Sequence, residues 1–130
     1  MIALDTNILT RFIVGDDHAQ QREAGRLLAD DRGEFFLGDI VLAEFVWVLD
    51  LLYGYSREDI GSALHALVHR SNMNFEDEVR VRRAVRYFLD GGDFPDFLIL
   101  ARAQAEGCTA LASFDKELKM RFPGFVVVPK

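Results

Sequence analysis

Asp93 and Asp96 stand three residues apart, with Pro95 between them, at the head of the apolar run Phe97-Leu98-Ile99-Leu100-Ala101. Proline is tolerated in the first turn of a helix, where no backbone N–H is needed. The spacing therefore predicts Asp93 at or beside an N-cap and Asp96 in the first turn, where the partial positive charge of the helix terminus suits a carboxylate. Capping alone would account for the pair. Other acids, however, fall at similar places. Asp5 ends an apolar N-terminal run, Asp115 follows another, and Glu44 interrupts a long apolar helix.

The elements that must position these acids can be read from the pattern. Residues 1–4 predict a buried strand, with Thr6 and Asn7 as turn and cap residues. Residues 8–14 predict a short helix stopped by Gly15, and 17–30 an amphipathic helix with Asp17 as its cap. A second strand over 34–37 leads into a helix over 40–53 that is apolar on nearly all sides, which implies burial on more than one face. Glu44 within it then needs a partner such as Arg11, or a metal, because an unpaired buried carboxylate is very costly. Ser56-Arg57-Glu58-Asp59 has the capping-box form and opens a helix to about 69. Residues 71–75 read as a loop or very short strand, and 76–89 as a helix. Gly91-Gly92 breaks the chain before the helix that runs from Pro95 to near Gly107. A strand over 109–112, a short helix over 116–121 and a strand over 125–128 complete the chain.

Strands that alternate with helices and are themselves solidly apolar describe a parallel sheet covered on both faces. Right-handed crossovers bring strand C-termini to one edge, where open α/β sheets hold their sites. Asp5, Glu44, Asp93, Asp96 and Asp115 are expected to meet there. Carboxylates held that close repel unless they are protonated, paired or bound to cations. An all-oxygen set without Cys or His suits a hard ion, Mg²⁺ or Mn²⁺. One ion, or two about 3.5–4 Å apart, would assist hydrolysis of a phosphodiester.

The bulk composition sets bounds. The chain has 130 residues, half of them apolar with eleven Phe, enough for one domain over 1–130 with a real core. Cys108 is the single cysteine, so no intrachain disulfide forms, and it is expected as a small buried hydrophobe in a reducing compartment. Met1-Ile2-Ala3-Leu4 runs into Asp5 without a basic leader, and no apolar run is long enough to span a membrane, so a cytoplasmic location is expected. The net charge of −6 counts against simple phosphate binding.

Leu4-Asp5-Thr6-Asn7, Glu44 in an apolar helix, Asp93-Phe94-Pro95-Asp96 and Ser113-Phe114-Asp115 together resemble the PIN domain, and within it the VapC-like toxin ribonucleases of bacterial and archaeal toxin–antitoxin pairs. The resemblance covers the chain in order and length. It implies a three-layer α/β/α fold with a central, mainly parallel sheet of four to five strands. By that pattern Asp5, Glu44, Asp96 and Asp115 are the catalytic, metal-binding acids, Asp93 is an auxiliary acid, and Thr6 and Ser113 are hydroxyl partners. The family often has Thr where this chain has Ser113. The resemblance further implies cleavage of RNA, such as tRNA or rRNA, with Mg²⁺ (or Mn²⁺), a homodimer, and a cognate antitoxin.

Several residues carry two readings. Asp115 also suits an N-cap of the 116–121 helix. Arg80, Arg82, Arg83 and Arg86 read either as a solvated face balanced by Glu76, Asp77 and Glu78 or as a basic surface for RNA phosphates, with Lys116 a further candidate. His65 and His69 are four apart on a helix but lack a third metal ligand, so they read as ordinary helix residues. Trp47, Leu51 and Tyr53 belong to the core or to a dimer contact. Two other functions compete: another metal-dependent phosphate-handling α/β protein, or a PIN-like module kept for binding. An aspartyl-phosphate phosphatase is disfavoured because no second Asp stands two residues after Asp5.

Overall fold

The computed structural model describes residues 1–30 and 32–130. It begins with strand β1 (Ile2–Ala3), which leads into helix α1 (Thr6–Val14) and helix α2 (His18–Leu28). Strand β2 (Phe35–Leu37) is followed by α3 (Asp39–Leu51) and α4 (Arg57–Val68), and β3 (Met73–Phe75) by α5 (Glu78–Leu89) and α6 (Phe94–Ala105). The chain ends in β4 (Leu111–Ala112), α7 (Lys116–Arg121) and β5 (Val126–Val127). The expected α/β architecture and element order are present.

All strand pairs are parallel. The ladder β1-β2-β3 pairs Ile2 with Phe35 and Phe35 with Met73, and a second ladder pairs Leu111 of β4 with Val126 of β5. Among the described residues β1 and β4 are not hydrogen-bonded to each other. Ile2 is 55 % exposed and Val127 48 %, because β1, β4 and β5 lie at ladder edges. Phe35 and Leu37 of β2, the central strand, and Val126 of β5 are fully enclosed.

Helix ends follow local chemistry. The side chains of Asp5, Asp17, Ser56, Asp77, Asp93 and Asp115 each accept a backbone N–H at the head of their helix. Helix α3 is the hub, packing on α1, α4 and α6, and its Leu42, Phe45 and Leu49 are completely buried. Phe94 and Phe97 of α6 enter this main core, while Leu100 joins Leu118 of α7 and Val126 of β5 in a smaller cluster. Tyr87, Phe97 and Phe122 stack with ring centres 5.1 to 6.4 Å apart and fasten the C-terminal unit to α5 and α6. Helix α6 thus carries its first-turn acids between two packed bodies.

Cys108 departs from expectation: it is exposed, because it sits in the turn after Gly107. Among the described residues no helix is long and apolar enough to cross a membrane.

Candidate active site

The turn Gly91-Gly92-Asp93 delivers the central acids. Gly91 adopts φ 101°, a region that glycine enters without strain. A Cβ at Gly92 would meet the Tyr87 ring at 2.1 Å, so only glycine fits there. Asp93 then caps α6, its Oδ1 accepting the Asp96 N–H at 2.8 Å. Pro95 occupies the first turn, and Phe94 and Phe97 bury beneath it, leaving Asp93 and Asp96 at the surface.

Glu44 and Trp47 of α3 face Asp93 and Asp96 across a pocket of about 480 Å³. Glu44 is exposed rather than buried, and Arg11 pairs with Asp16 instead of with it. The reason is that α3, apolar all round, still leaves one stripe uncovered: Ile40, Glu44, Trp47 and Leu51. Ile40 is 80 % exposed and Trp47 64 %, so Trp47 is not a core residue. Tyr53 does not share the stripe, because its hydroxyl donates to Asp16 Oδ2 at 2.9 Å.

Partial burial, and next the negative charges of Asp93, Asp115 and Glu117, push the Asp96 carboxyl up from 3.8 to about 6. The ionised form of Asp96 is thus held at a cost that a proton or a nearby cation would relieve. Asp115 caps α7, its Oδ1 accepting from the Leu118 N–H at 3.0 Å, and Ser113 Oγ accepts the Asp115 N–H at 3.0 Å. That bond fixes the loop carrying Asp115. Glu117 is tied to Arg121 at 3.2 Å.

Asp5 is not among the residues that line the pocket. It follows β1 and caps α1 through the Thr6 N–H at 2.7 Å, and Thr6 itself is buried. Glu44, Asp93 and Asp96 line one pocket, and the Asp115 charge acts on Asp96. Among the described residues no group of three or more Asp, Glu, His or Cys is gathered tightly enough to hold a metal ion. The donor chemistry nonetheless suits a hard cation: Asp5, Glu44, Asp93, Asp96 and Asp115 are all carboxylates, and among the described residues none makes an ion pair.

The arginines of α5 divide. Arg80 is 7 % exposed and bonds Asp39 Oδ2 through Nε at 3.0 Å and Nη2 at 2.8 Å, which removes it from any RNA-facing surface. Arg82 is held by Glu78 and the Val68 carbonyl. Arg83 lies 5.4 Å from the Phe97 ring centre, and Arg83, Arg86 and Lys116 are exposed. The His65 and His69 rings stack at 4.0 Å, and both residues are exposed. Two larger cavities along α4 and α5, about 550 and 570 Å³, are lined by Glu58 and Asp90 as their only acids and lack the carboxylate group.

The PIN domain model matches residues 2–121. The chain belongs to the PIN domain family. It is similar to a VapC ribonuclease of Aquifex aeolicus (strain VF5), with 26 % identity over 122 residues that cover 92 % of this chain and 90 % of that protein. No solved structure matches the chain significantly. The PIN domain fold is a three-layer α/β/α arrangement, and Asp93 and Asp96 open the α6 helix of this PIN domain. Sequence reasoning places Arg80 on a solvated or RNA-facing surface, whereas it is buried beside Asp39, and it gives Arg57, beside Gly92, no role beyond the head of its helix. Arg80 is discoverable, since it shares a helical face with Ala84 and Phe88.

Proposed function

We propose that this PIN domain is a metal-dependent endoribonuclease that hydrolyses RNA phosphodiester bonds, acting as the toxin of a toxin–antitoxin pair in the cytoplasm. One observation carries the reading. Glu44, Asp93 and Asp96 share a pocket, Asp115 acts on it, and no internal cation neutralises them among the described residues. Such a group gains stability only from a proton or an external cation.

Mg²⁺ or Mn²⁺ fits this donor set, with Glu44, Asp96 and Asp115 as the residues that would hold it, Asp5 as a fourth and Asp93 as an auxiliary acid. When bound, such an ion would supply positive charge to a phosphoryl oxygen and make water a better nucleophile. The protein residues do the rest. Asp93 positions the Asp96 amide by capping α6, Ser113 fixes the Asp115 loop, and buried Thr6 anchors Asp5 through its N–H. Arg83, Arg86 and Lys116 are exposed cations able to meet RNA phosphates. tRNA or rRNA is the proposed substrate class. A homodimer through the open stripe of α3, Ile40, Trp47 and Leu51, would cover apolar surface that one chain leaves in water. A cognate antitoxin completes the proposed assembly.

The test is cleavage of a mixed tRNA and rRNA pool by the antitoxin-free protein with Mg²⁺, with Mn²⁺ and with EDTA. Discrete fragments that disappear with EDTA are expected. A second reading, a PIN-fold binding module, draws on the lack, among the described residues, of a group of three or more ligating side chains gathered tightly enough for a metal ion. Mn²⁺ binding by calorimetry without any cleavage would favour it.

A further inference from the structure

We propose that Arg57 is a positioning residue for the Asp93–Asp96 pair, fixing from α4 the turn on which both acids stand. The inference rests on the reading of those acids as the site. Arg57 Nη2 donates to the Phe88 carbonyl and to the Gly92 carbonyl, both at 2.7 Å. Its guanidinium carbon lies 4.1 Å from the centre of the Phe88 ring. One planar cation thereby joins the end of α5 to the residue immediately before Asp93.

Neither helix stabilisation nor ion pairing accounts for this arginine. Arg57 is the first residue of α4, where the helix dipole disfavours a positive charge. Glu58 and Asp59 follow it, yet Arg57 makes no ion pair among the described residues. Its bonded partners are one carbonyl in the last turn of α5 and one in the glycine turn that follows. That turn contains two consecutive glycines, the backbone with the most conformations to lose. Its own backbone closes the end of α5, the Gly91 N–H on the Phe88 carbonyl at 3.0 Å and the Gly92 N–H on the Tyr87 carbonyl at 2.9 Å, and Arg121 adds a longer bond to the Gly91 carbonyl at 3.3 Å. The Gly92 carbonyl, the last group before Asp93, is held by Arg57. Without Arg57 the Gly92 carbonyl loses its short partner, and Asp93 and Asp96 are free to shift against Glu44. Displacements on the order of 1 Å cost a catalytic site heavily.

Arg70 provides a matched control. It donates to the Leu28 carbonyl at 2.8 Å and lies 5.7 Å from the Phe12 ring centre, so it makes the same two kinds of contact. It joins the approach to β3 to the end of α2 and touches none of the acids.

The experiment compares Arg57→Gln, Arg57→Lys and Arg70→Gln in the full chain. Cleavage with Mn²⁺ is expected to show kcat down about 10-fold in Arg57→Gln, with KM within about twofold. Arg57→Lys, which keeps a donor, recovers part of the loss. Arg70→Gln lowers the melting temperature to a similar degree and leaves kcat within about twofold. Hydrogen exchange reads the geometry without activity: the Asp96 amide, bonded to Asp93 Oδ1, loses protection in Arg57→Gln and keeps it in Arg70→Gln. Unchanged Asp96 protection in Arg57→Gln overturns the proposal, as does an equal kcat loss in Arg70→Gln. If the wild-type protein cleaves nothing, the nuclease reading falls while the exchange comparison still decides the role of Arg57.

Discussion

Two groups of carboxylates lie side by side in this molecule, and only one of them has its own cation. Asp39, Glu76 and Asp77 follow β2 and β3 and converge on buried Arg80, at 2.8, 3.7 and 3.4 Å. Glu44, Asp93 and Asp96 share the neighbouring pocket with no such partner among the described residues. Helix α3 contributes to both, with Asp39 as its first residue and Glu44 little more than a turn later. Residue type therefore does not distinguish them. The first group is a closed ion-pair network that joins three elements. In the second, partial burial and then the neighbouring charges raise the Asp96 carboxyl to about 6, and the group is left open to whatever positive charge solvent supplies.

Breaking each group should damage a different property. Asp96→Asn is expected to lower RNA cleavage by about 10³-fold or more, the scale of losing charge stabilisation at a reacting phosphoryl group. The folded state should survive, because removing a carboxylate relieves repulsion. Near-normal cleavage by folded Asp96→Asn would remove this residue from the site. Arg80→Met should do the reverse. It strands Asp39 against apolar surroundings, and breaking a buried ion pair from one side costs about 3–5 kcal/mol. Urea unfolding measures that loss. A cost below about 1 kcal/mol would make the network a surface feature despite its burial.

A cation should separate the two groups next. Ligand that binds only the folded state adds about 2.7 kcal/mol of stability at a hundred times its Kd. Thermal unfolding with Mn²⁺ should show that gain in the wild type and in any folded Arg80 variant, and lose most of it in Asp96→Asn. Equal stabilisation of Asp96→Asn would place the cation elsewhere.

The order of elements was legible because strong local signals agree. Asp93 and Asp115 were readable as caps from spacing alone, and Gly91-Gly92 as a break. The two mistakes about charge have one cause, the direction a helical side chain takes. Arg80 sits in a dense run of arginines that looks like a solvent face, but the helical period turns it inward with Ala84 and Phe88. Glu44 sits among apolar residues that look like a core, but its stripe of α3 remains uncovered. Composition shows that a helix is apolar on all sides. It does not show which side lacks a neighbour.

The smallest expected effect tests the electrostatics directly. Asp96 titrates near 3.8 when unfolded and near 6 when folded, so the folded state binds the extra proton between those values. A raised carboxyl contributes stability that is fully present below about 3.8 and is lost as the pH rises through about 6. The wild-type curve alone sums every titrating group of the protein. The difference between wild type and Asp96→Asn isolates one group. Urea unfolding from about pH 4 to about pH 8 should show the wild type losing stability relative to Asp96→Asn across the middle of that range and running parallel to it above about pH 7. Salt should shrink the gap, because part of it comes from the charges of Asp93, Asp115 and Glu117. A flat difference would mean that the open group is not crowded, and the contrast with the Arg80 network would then rest on ion pairing alone.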